Sequence, residues 1–402
     1  MFKFSFDLDD LEADSEILKA FEPAPDDGAV ESNDSSSASA AAPKPSPCCE
    51  VSINDVLSAL PPVISYSPLT LALTDARPGN EDASDPVGDK PAKTLILFRR
   101  DLYDVRYQLI SQDGGSGGEG DKDKNGFHNE TQDGRLDVLN FIESPSDLVP
   151  GLYEGGLKTW ECSLDLVHYL HGLGVHPVGR RIFEIGCGTG VPSLYLLSRI
   201  FCAEPLPESS TVIHLQDYNR AVLELVTFPN ILLTWYMSPA SALYRASHAE
   251  QDENTSPHPF KPGELRISPE LKKAFLASLE TFRLDLRLFS GAWDTFDRTR
   301  TYNIVLTSET IYQSRYLPTL IDLLLCVTDK MPVPPQDAES RAIERYDGAP
   351  LCLVAAKTLY FGVGSGTVEF EQAIQAVPGN ARTETVWEHS SGVSRKIMRV
   401  YR

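Results

Sequence analysis

From about residue 150 onward, short apolar runs alternate with stretches whose apolar residues recur every three or four positions. The first pattern predicts buried strands and the second predicts helices with one buried face. Trp160 to Leu173 carries Leu164, Val167 and Leu170 on one face, with Gly172 or Gly174 to end it, and is expected to be a helix. Arg181 to Ile185 then reads as a strand, Val191 to Phe201 as a helix, Val212 to Gln216 as a strand and Arg220 to Val226 as a helix. Leu284 to Phe289, Asn303 to Ser308 and Leu351 to Ala356 predict three more strands. Pro318 opens a helix reaching about Val327, since proline suits a first helical turn. Thr385 to Trp387 and Lys396 to Tyr401 predict the last two strands. Such repeated strand–helix units imply an α/β fold with a mostly parallel, seven-stranded sheet and helices on both faces.

The pattern divides the chain. Residues 1–50 read as a disordered acidic tail, with a Ser/Ala/Pro tract from Asn33 to Pro47. This tail is a spacer, or its aromatic start, Phe2, Phe4 and Phe6, is a docking peptide. Residues 51–147 form an N-terminal extension. In it Thr94 to Leu97 and Asp104 to Ile110 are expected as short strands, and Asp113 to Gly120 as a flexible glycine-rich linker. Residues 148–402 form the main domain. Insertions near 238–273 and 332–348 exceed ordinary connections, so each is an ornament or a substrate-contacting element.

Composition narrows the classes. The net charge of −21 argues against direct nucleic-acid binding. It suits a basic partner, though a solvated acidic surface with an acidic tail is the simpler and stronger explanation. Seven scattered cysteines without C-x-x-C spacing imply a reduced intracellular protein and no metal site. No stretch of about 18 apolar residues occurs, so a soluble protein without a membrane span is expected.

The chemistry starts at R-I-F-E-I-G-C-G-T-G, Arg181 to Gly190. A strand ending in a glycine turn that opens a helix lets backbone pass close to a ligand. A dinucleotide fingerprint wants its third glycine where Val191 stands, which weighs against a nicotinamide dehydrogenase. The acid Glu184 sits two residues before the turn formed by Gly186, Cys187, Gly188, Thr189 and Gly190. The next strand ends in L-Q-D-Y-N, where Asp217 is placed to accept ribose hydroxyls, with Tyr218 and Asn219 beside it. The bland reading of Asp217 is a helix cap, a role Asn219 would fill better. In F-S-G-A-W-D, Ala292 and Trp293 offer backbone and a flat ring to an adenine, unless Trp293 is simply core. L-T-S-E-T-I-Y puts Ser308, Glu309 and Tyr312 at a strand's carboxyl end, where an open α/β sheet binds ligands; a helix cap by Ser308 or Thr310 is the bland alternative. Lys357 to Gly366 lacks the G-x-x-x-x-G-K order of a phosphate loop and reads as a mobile aromatic and glycine lid.

The glycine turn with its acid resembles the first motif of the seven-β-strand, S-adenosylmethionine-dependent methyltransferases, a Rossmann-like class. E-x-x-Y at Glu309 to Tyr312 resembles a diagnostic motif of protein methyltransferases in the methyltransferase-like group. Y-E-G-G-L-K-T-W-E-C, E-I-G-C-G-T-G, Q-D-Y-N, F-S-G-A-W, L-T-S-E-T-I-Y and K-T-L-Y-F-G-V-G-S-G come in the order found in histidine protein methyltransferases. The start M-F-K-F-S-F is similar to that of fungal members. The resemblance implies S-adenosylmethionine as cofactor and methyl transfer to a ring nitrogen of a histidine in a large-subunit ribosomal protein. An effect on ribosome biogenesis or translation, in the cytoplasm and also the nucleus, would follow. It also implies that Trp160, Gly186 to Gly190, Asp217 to Asn219, Trp293 and Ser308 contact the cofactor.

Histidine suits this reaction chemically. Its imidazole ordinarily titrates at about 6.5, so it is mostly neutral at pH 7 and offers a lone pair directly. The protein needs to hold the tautomer and accept the opposite N–H. Glu309, Asp217 and Asp294 are the candidate acceptors, Glu309 first, with Tyr312 shaping the slot. A lysine methyltransferase of the same group and a non-catalytic cofactor-binding chaperone of a ribosomal protein are the alternatives.

Overall fold

The computed structural model describes residues 46–73, 93–113, 148–149, 153–248, 258, 260–328, 349–360 and 365–402. Residues Pro47–Arg402 form one compact unit. Its main sheet is built from β1 (Cys49–Val51), β6 (Arg181–Ile185), β7 (Thr211–Asp217), β9 (Leu284–Ser290), β10 (Ile304–Ser308), β11 (Leu351–Lys357), β12 (Arg382–His389) and β13 (Arg395–Tyr401). The order across the sheet is β1-β9-β7-β6-β10-β11-β13-β12. The five strands from β9 to β11 run parallel, and β13 enters antiparallel between β11 and β12. All seven strands expected in the main domain are present. The eighth, β1, pairs antiparallel with β9 and contains Cys49 and Glu50, which the composition assigns to the tail. Gly291, at φ 114, permits this: a Cβ there would stand 2.3 Å from the Pro47 carbonyl oxygen.

The central strands are apolar at nearly every position because helices cover both faces. Period-two alternation still sorts their side chains. Ile182, Ile213, Leu306 and Leu353 join one core with helices α3 (Glu161–Gly172) and α4 (Val191–Phe201). Phe183, Val305, Cys352 and Val354 join the other with α8 (Leu317–Val327) and α9 (Thr367–Gln375). From β6 the chain builds outward through β7 and β9, then returns to build β10 and β11 on the other side. The reversal falls between β6 and β10 and opens a crevice at their carboxyl ends.

The N-terminal extension contributes helix α1 (Ile53–Ala59) and strands β2 (Val63–Leu73) and β3 (Lys93–Arg100). These strands form a three-stranded antiparallel sheet with β8 (Gly263–Arg266). A short antiparallel pair, β4 (Leu148–Val149) and β5 (Tyr153–Glu154), precedes α3. The 238–273 segment, expected to be an ornament or a substrate contact, thus supplies a strand to the second sheet; its residues 249–257 lie outside the described set. It also includes helix α6 (Ala242–His248) and the start of α7 (Pro269–Thr281), whose Phe275 packs edge-on against Trp235 and Phe228.

Asp104 to Ile110, expected as a strand, lies instead in helix α2 (Leu102–Asp113). The apparent alternation Val105, Tyr107, Leu109 is misleading. Only Val105 and Leu109, four residues apart, are buried, against Leu225 and Val226, while Tyr103, Tyr107 and Ile110 are exposed. The helix expected at Arg220 to Val226 continues as α5 (Arg220–Tyr236), with a π-helical turn at Leu223–Thr227. The acidic tail up to residue 45, the aromatic start, the glycine-rich linker from 114 onward and the 332–348 insertion lie outside the described residues.

One buried polar pair makes stability pH-dependent. In β7, His214 Nδ1 lies 2.8 Å from the Tyr302 hydroxyl, and burial pushes the imidazole down to about 4 from its ordinary 6.5. The unfolded chain therefore binds this proton first as pH falls. The contribution is complete above pH 6.5 and is lost between 6.5 and 4, amounting to about 3 kcal/mol. Urea unfolding of wild type and His214→Asn at pH 7 and pH 4.5 is expected to show a shallower acid loss in the variant. Identical slopes would remove His214 from this account.

Candidate active site

The crevice at the switch point holds a cavity of about 1350 Å³ counting its open mouth. Its floor is the glycine turn between β6 and α4. Gly188 has φ 49, and its missing side chain lets it sit against Gly156: a Cβ would lie 3.3 Å from Gly156 Cα. Gly186, at φ 61, would drive a Cβ to 2.5 Å from Thr310 Cγ2. The turn is also held by hydrogen bonds. Asp217 Oδ2 accepts the Gly188 N–H at 2.9 Å, and Asp217 Oδ1 accepts that of Asn219 at 2.9 Å. Gln216 accepts from Gly186 at 3.2 Å and donates to the Gly291 carbonyl at 2.7 Å. A second layer supports the first: Asn230 donates to the Thr189 carbonyl and accepts the Arg100 N–H, tying the turn to β3.

Most residues read from the sequence line this cavity. Gly186, Cys187, Gly188 and Thr189 form the floor, and Asp217 and Tyr218 one wall. Ala292, Trp293 and Ser308 line it further along, with Glu309, Tyr312 and Trp160 at the other end. Trp293 is half-buried, and its indole N–H donates to Gln216 Oε1 at 2.9 Å, which fixes the ring as a wall of the cavity. Trp160 carries the Lys357 ammonium over its ring, 4.7 Å from the centroid.

Three expected contacts lie behind the wall. Glu184 is buried on the helix side of β6, where its Oε2 accepts both the N–H and the hydroxyl of Ser193 in the first turn of α4. Burial raises its carboxyl to about 7. It anchors the helix start from the face of β6 that also carries Ile182, and it is not among the residues lining the cavity. Gly190 ends the turn at φ 74 as the cap of α4. Asn219 donates its side-chain N–H to the Gly155 carbonyl at 3.1 Å, holding the preceding segment over the turn.

At the far end Glu309 has a left-handed backbone, φ 57, in a residue with a side chain. That conformation is disfavoured without glycine and persists where surrounding structure enforces it. Here the Glu309 N–H donates to the Ala355 carbonyl at 2.9 Å. Glu309 Oε2 accepts a 2.6 Å hydrogen bond from the Tyr360 hydroxyl, while its Oε1 is buried with no hydrogen-bond partner. Burial raises the carboxyl above its ordinary range, opposed by Lys357. Neither Ser308 nor Thr310 caps a helix, since the next helical turn is the 3-10 turn Ser314–Tyr316, with Gln313 at its cap position; Thr310 instead shares a 2.7 Å hydroxyl contact with Thr307.

Sequence reasoning misses Tyr360 as a partner of Glu309, although it marks the segment as a lid. In that segment the described residues are pinned by backbone bonds, Tyr360 N to Ser365 O and Thr367 N to Thr358 O, both 3.3 Å. Residues 361–364 lie outside the described set. Tyr316, which precedes α8, Thr319 in its first turn, and Lys158 also line the cavity. Of the other candidate acceptors, Asp294 is exposed at the rim, and Asp217 already serves two backbone donors. Among the described residues no cluster of His, Cys, Asp or Glu fits a metal ion.

A parallel sheet reversing at β6 and β10, one antiparallel strand inserted near its edge, a glycine turn and an acid ending the second strand define the seven-β-strand methyltransferase class. No family model matches the chain. It is 31% identical over 311 residues to histidine protein methyltransferase 1 of Saccharomyces cerevisiae, covering 75% of this chain and 73% of that one. To histidine protein methyltransferase 1 of Schizosaccharomyces pombe it is 32% identical over 312 residues, covering 75% and 76%. A Bos taurus homolog is 30% identical over 246 residues, covering 59% and 53%. The chain belongs to the histidine protein methyltransferase family. Among solved structures it is similar, at TM-score 0.30 and 15% identity, to an rRNA methyltransferase of Streptomyces viridochromogenes, over 61% of this chain and 86% of that one.

Proposed function

We propose that the cavity binds S-adenosylmethionine and that the protein methylates a ring nitrogen of a histidine in a large-subunit ribosomal protein, in the cytoplasm or nucleus. One observation carries the chemistry: a single cavity joins a nucleoside-type end, Asp217 with Trp293, to the buried Glu309 carboxyl, which takes the Tyr360 hydroxyl on Oε2 and has the weak Cys162 thiol as its other side-chain donor. The residues fit the cofactor. Asp217 offers a carboxylate at the end of β7 to ribose hydroxyls, Trp293 offers a ring to adenine, and the glycine floor admits close approach. The bound cofactor supplies an electrophilic methyl on a sulfonium.

The protein then has to place the imidazole in line, within about 3–3.5 Å of that methyl, and keep water out. Glu309 Oε1 accepts the N–H opposite the attacking nitrogen and stabilises the positive charge that develops on the ring. Tyr312 and Tyr360 wall the slot, their ring centroids 6.2 Å apart. The acidic chain, at −21, favours approach of a basic protein of the ribosomal kind.

The test uses the full chain, labelled S-adenosylmethionine, and large ribosomal subunits and extract from cells lacking the enzyme. Label is expected in methylhistidine of one large-subunit protein. Label in methyllysine, or only in a protein outside the ribosome, would overturn the substrate.

A further inference from the structure

We propose that Tyr360 is a positioning residue that holds Glu309 so that one ring nitrogen of the substrate histidine, and not the other, receives the methyl group. This rests on the reading of Glu309 as the imidazole acceptor and deepens it. The hydroxyl of Tyr360 is fixed from two sides: it donates to Glu309 Oε2 at 2.6 Å and accepts the Lys357 backbone N–H at 3.3 Å. With its acceptor side occupied by a backbone N–H, its single proton is directed to Glu309. Burial keeps the phenol well above its ordinary range, so it stays a donor. The other end of Glu309 is also held, by the Ala355 carbonyl and the left-handed backbone. One carboxyl oxygen is thus occupied. The other, Oε1, is buried and keeps its direction, with the weak Cys162 thiol beside the carboxyl.

The consequence is regiochemical. A neutral imidazole carries its proton on either nitrogen, and the methyl goes to the one without it. The lone pair of that nitrogen forms the N–CH3 bond as the S–CH3 bond of S-adenosylmethionine breaks, and the electron pair of that bond stays on sulfur. The ring becomes cationic, and its opposite N–H proton passes to Glu309 Oε1 and then to solvent. An acceptor with one fixed direction holds one tautomer in one pose. A carboxyl free to rotate offers either oxygen along several directions and so admits both poses.

The experiment compares wild type, Tyr360→Phe, Glu309→Gln and the double variant, with extract of cells lacking the enzyme as acceptor. Readouts are rate, the ratio of the two methylhistidine isomers after hydrolysis, the pH profile, and binding of S-adenosylmethionine by calorimetry. Tyr360→Phe is expected to bind the cofactor as wild type does, to turn over about 10²-fold more slowly, as a mispositioned group does, and to release both isomers. Because the Tyr360 bond lowers the Glu309 carboxyl, its loss should move the acidic limb of the rate to higher pH. The double variant should be no slower than Glu309→Gln alone, as expected for a residue acting through another. Should Tyr360→Phe fail to fold, Tyr360→Gln, which restores a donor toward Glu309, must keep a single isomer. A slow Glu309→Gln beside a Tyr360→Phe with wild-type rate and one isomer overturns this inference alone. A fully active Glu309→Gln overturns the reading beneath it.

Discussion

Asp217→Ala is expected to weaken binding of S-adenosylmethionine by about 10²–10³-fold, with little catalysis left at ordinary cofactor concentrations. Two effects add. The variant loses a charged acceptor for ribose hydroxyls, each such bond contributing about 1.5–3 kcal/mol. It also strips the Gly188 and Asn219 N–H groups of their acceptor in a part-buried turn. Two lost bonds, partly replaced by water, leave about 3–4 kcal/mol, which gives the stated range. Asp217→Asn separates the effects. Its remaining amide oxygen can serve one of the two backbone donors, so the turn keeps more of its shape while a ribose acceptor is lost, and a loss nearer tenfold is expected. Calorimetric titration with S-adenosylmethionine, alongside melting temperatures, measures both. Asp217→Ala with wild-type affinity and a lowered melting temperature would make Asp217 a brace of the turn and nothing more.

The strand and helix positions of the parallel sheet are legible because buried strands and amphipathic helices write different periods into the chain. Arg181–Ile185 and Val191–Phe201 fall where the pattern puts them. The period fails where two readings overlap. In Asp104 to Ile110 the alternation of Val105, Tyr107 and Leu109 is also the i, i+4 spacing of a helix, and burial against α5 decides the matter. The second sheet is not legible, since its three strands come from positions far apart in the chain and only tertiary pairing joins Val63–Leu73 to Gly263–Arg266. Cys49–Val51 has three residues and no period at all.

The site shows the same division. Strand ends are readable, because an open α/β sheet puts its carboxyl ends at the crevice; hence Asp217, Ser308 and Glu309. Which way each side chain faces is harder to read. Glu184 sits beside the turn in sequence, yet strand alternation aims it under α4 at Ser193. The Glu309–Tyr360 bond spans 51 positions, and neither residue type alone announces it. The left-handed backbone at Glu309 is equally invisible, since non-glycine residues there depend on surrounding contacts.

Glu309→Gln is expected to lower kcat by about 10²–10³-fold while S-adenosylmethionine binds normally, because the change falls on the acceptor end of the cavity, away from Asp217. Glutamine is nearly isosteric, so the slot is preserved. Its neutral oxygen stabilises a developing imidazolium far less than a carboxylate, and it cannot take the proton. Its NH2 group would meet the Tyr360 hydroxyl donor to donor unless the amide turns its oxygen there, which removes the acceptor from the substrate. The pH profile gives a second, independent readout. Burial raises the Glu309 carboxyl above its ordinary 4.5, and the carboxylate is the active form. Wild-type activity should therefore fall, as pH drops, through two protonations: that of Glu309 and that of the substrate imidazole near 6.5. Well below both, the logarithm of the rate should fall with a slope of about two, against about one in Glu309→Gln. A Glu309→Gln enzyme with full rate and an unchanged limb would hand the role to Asp217 or Asp294.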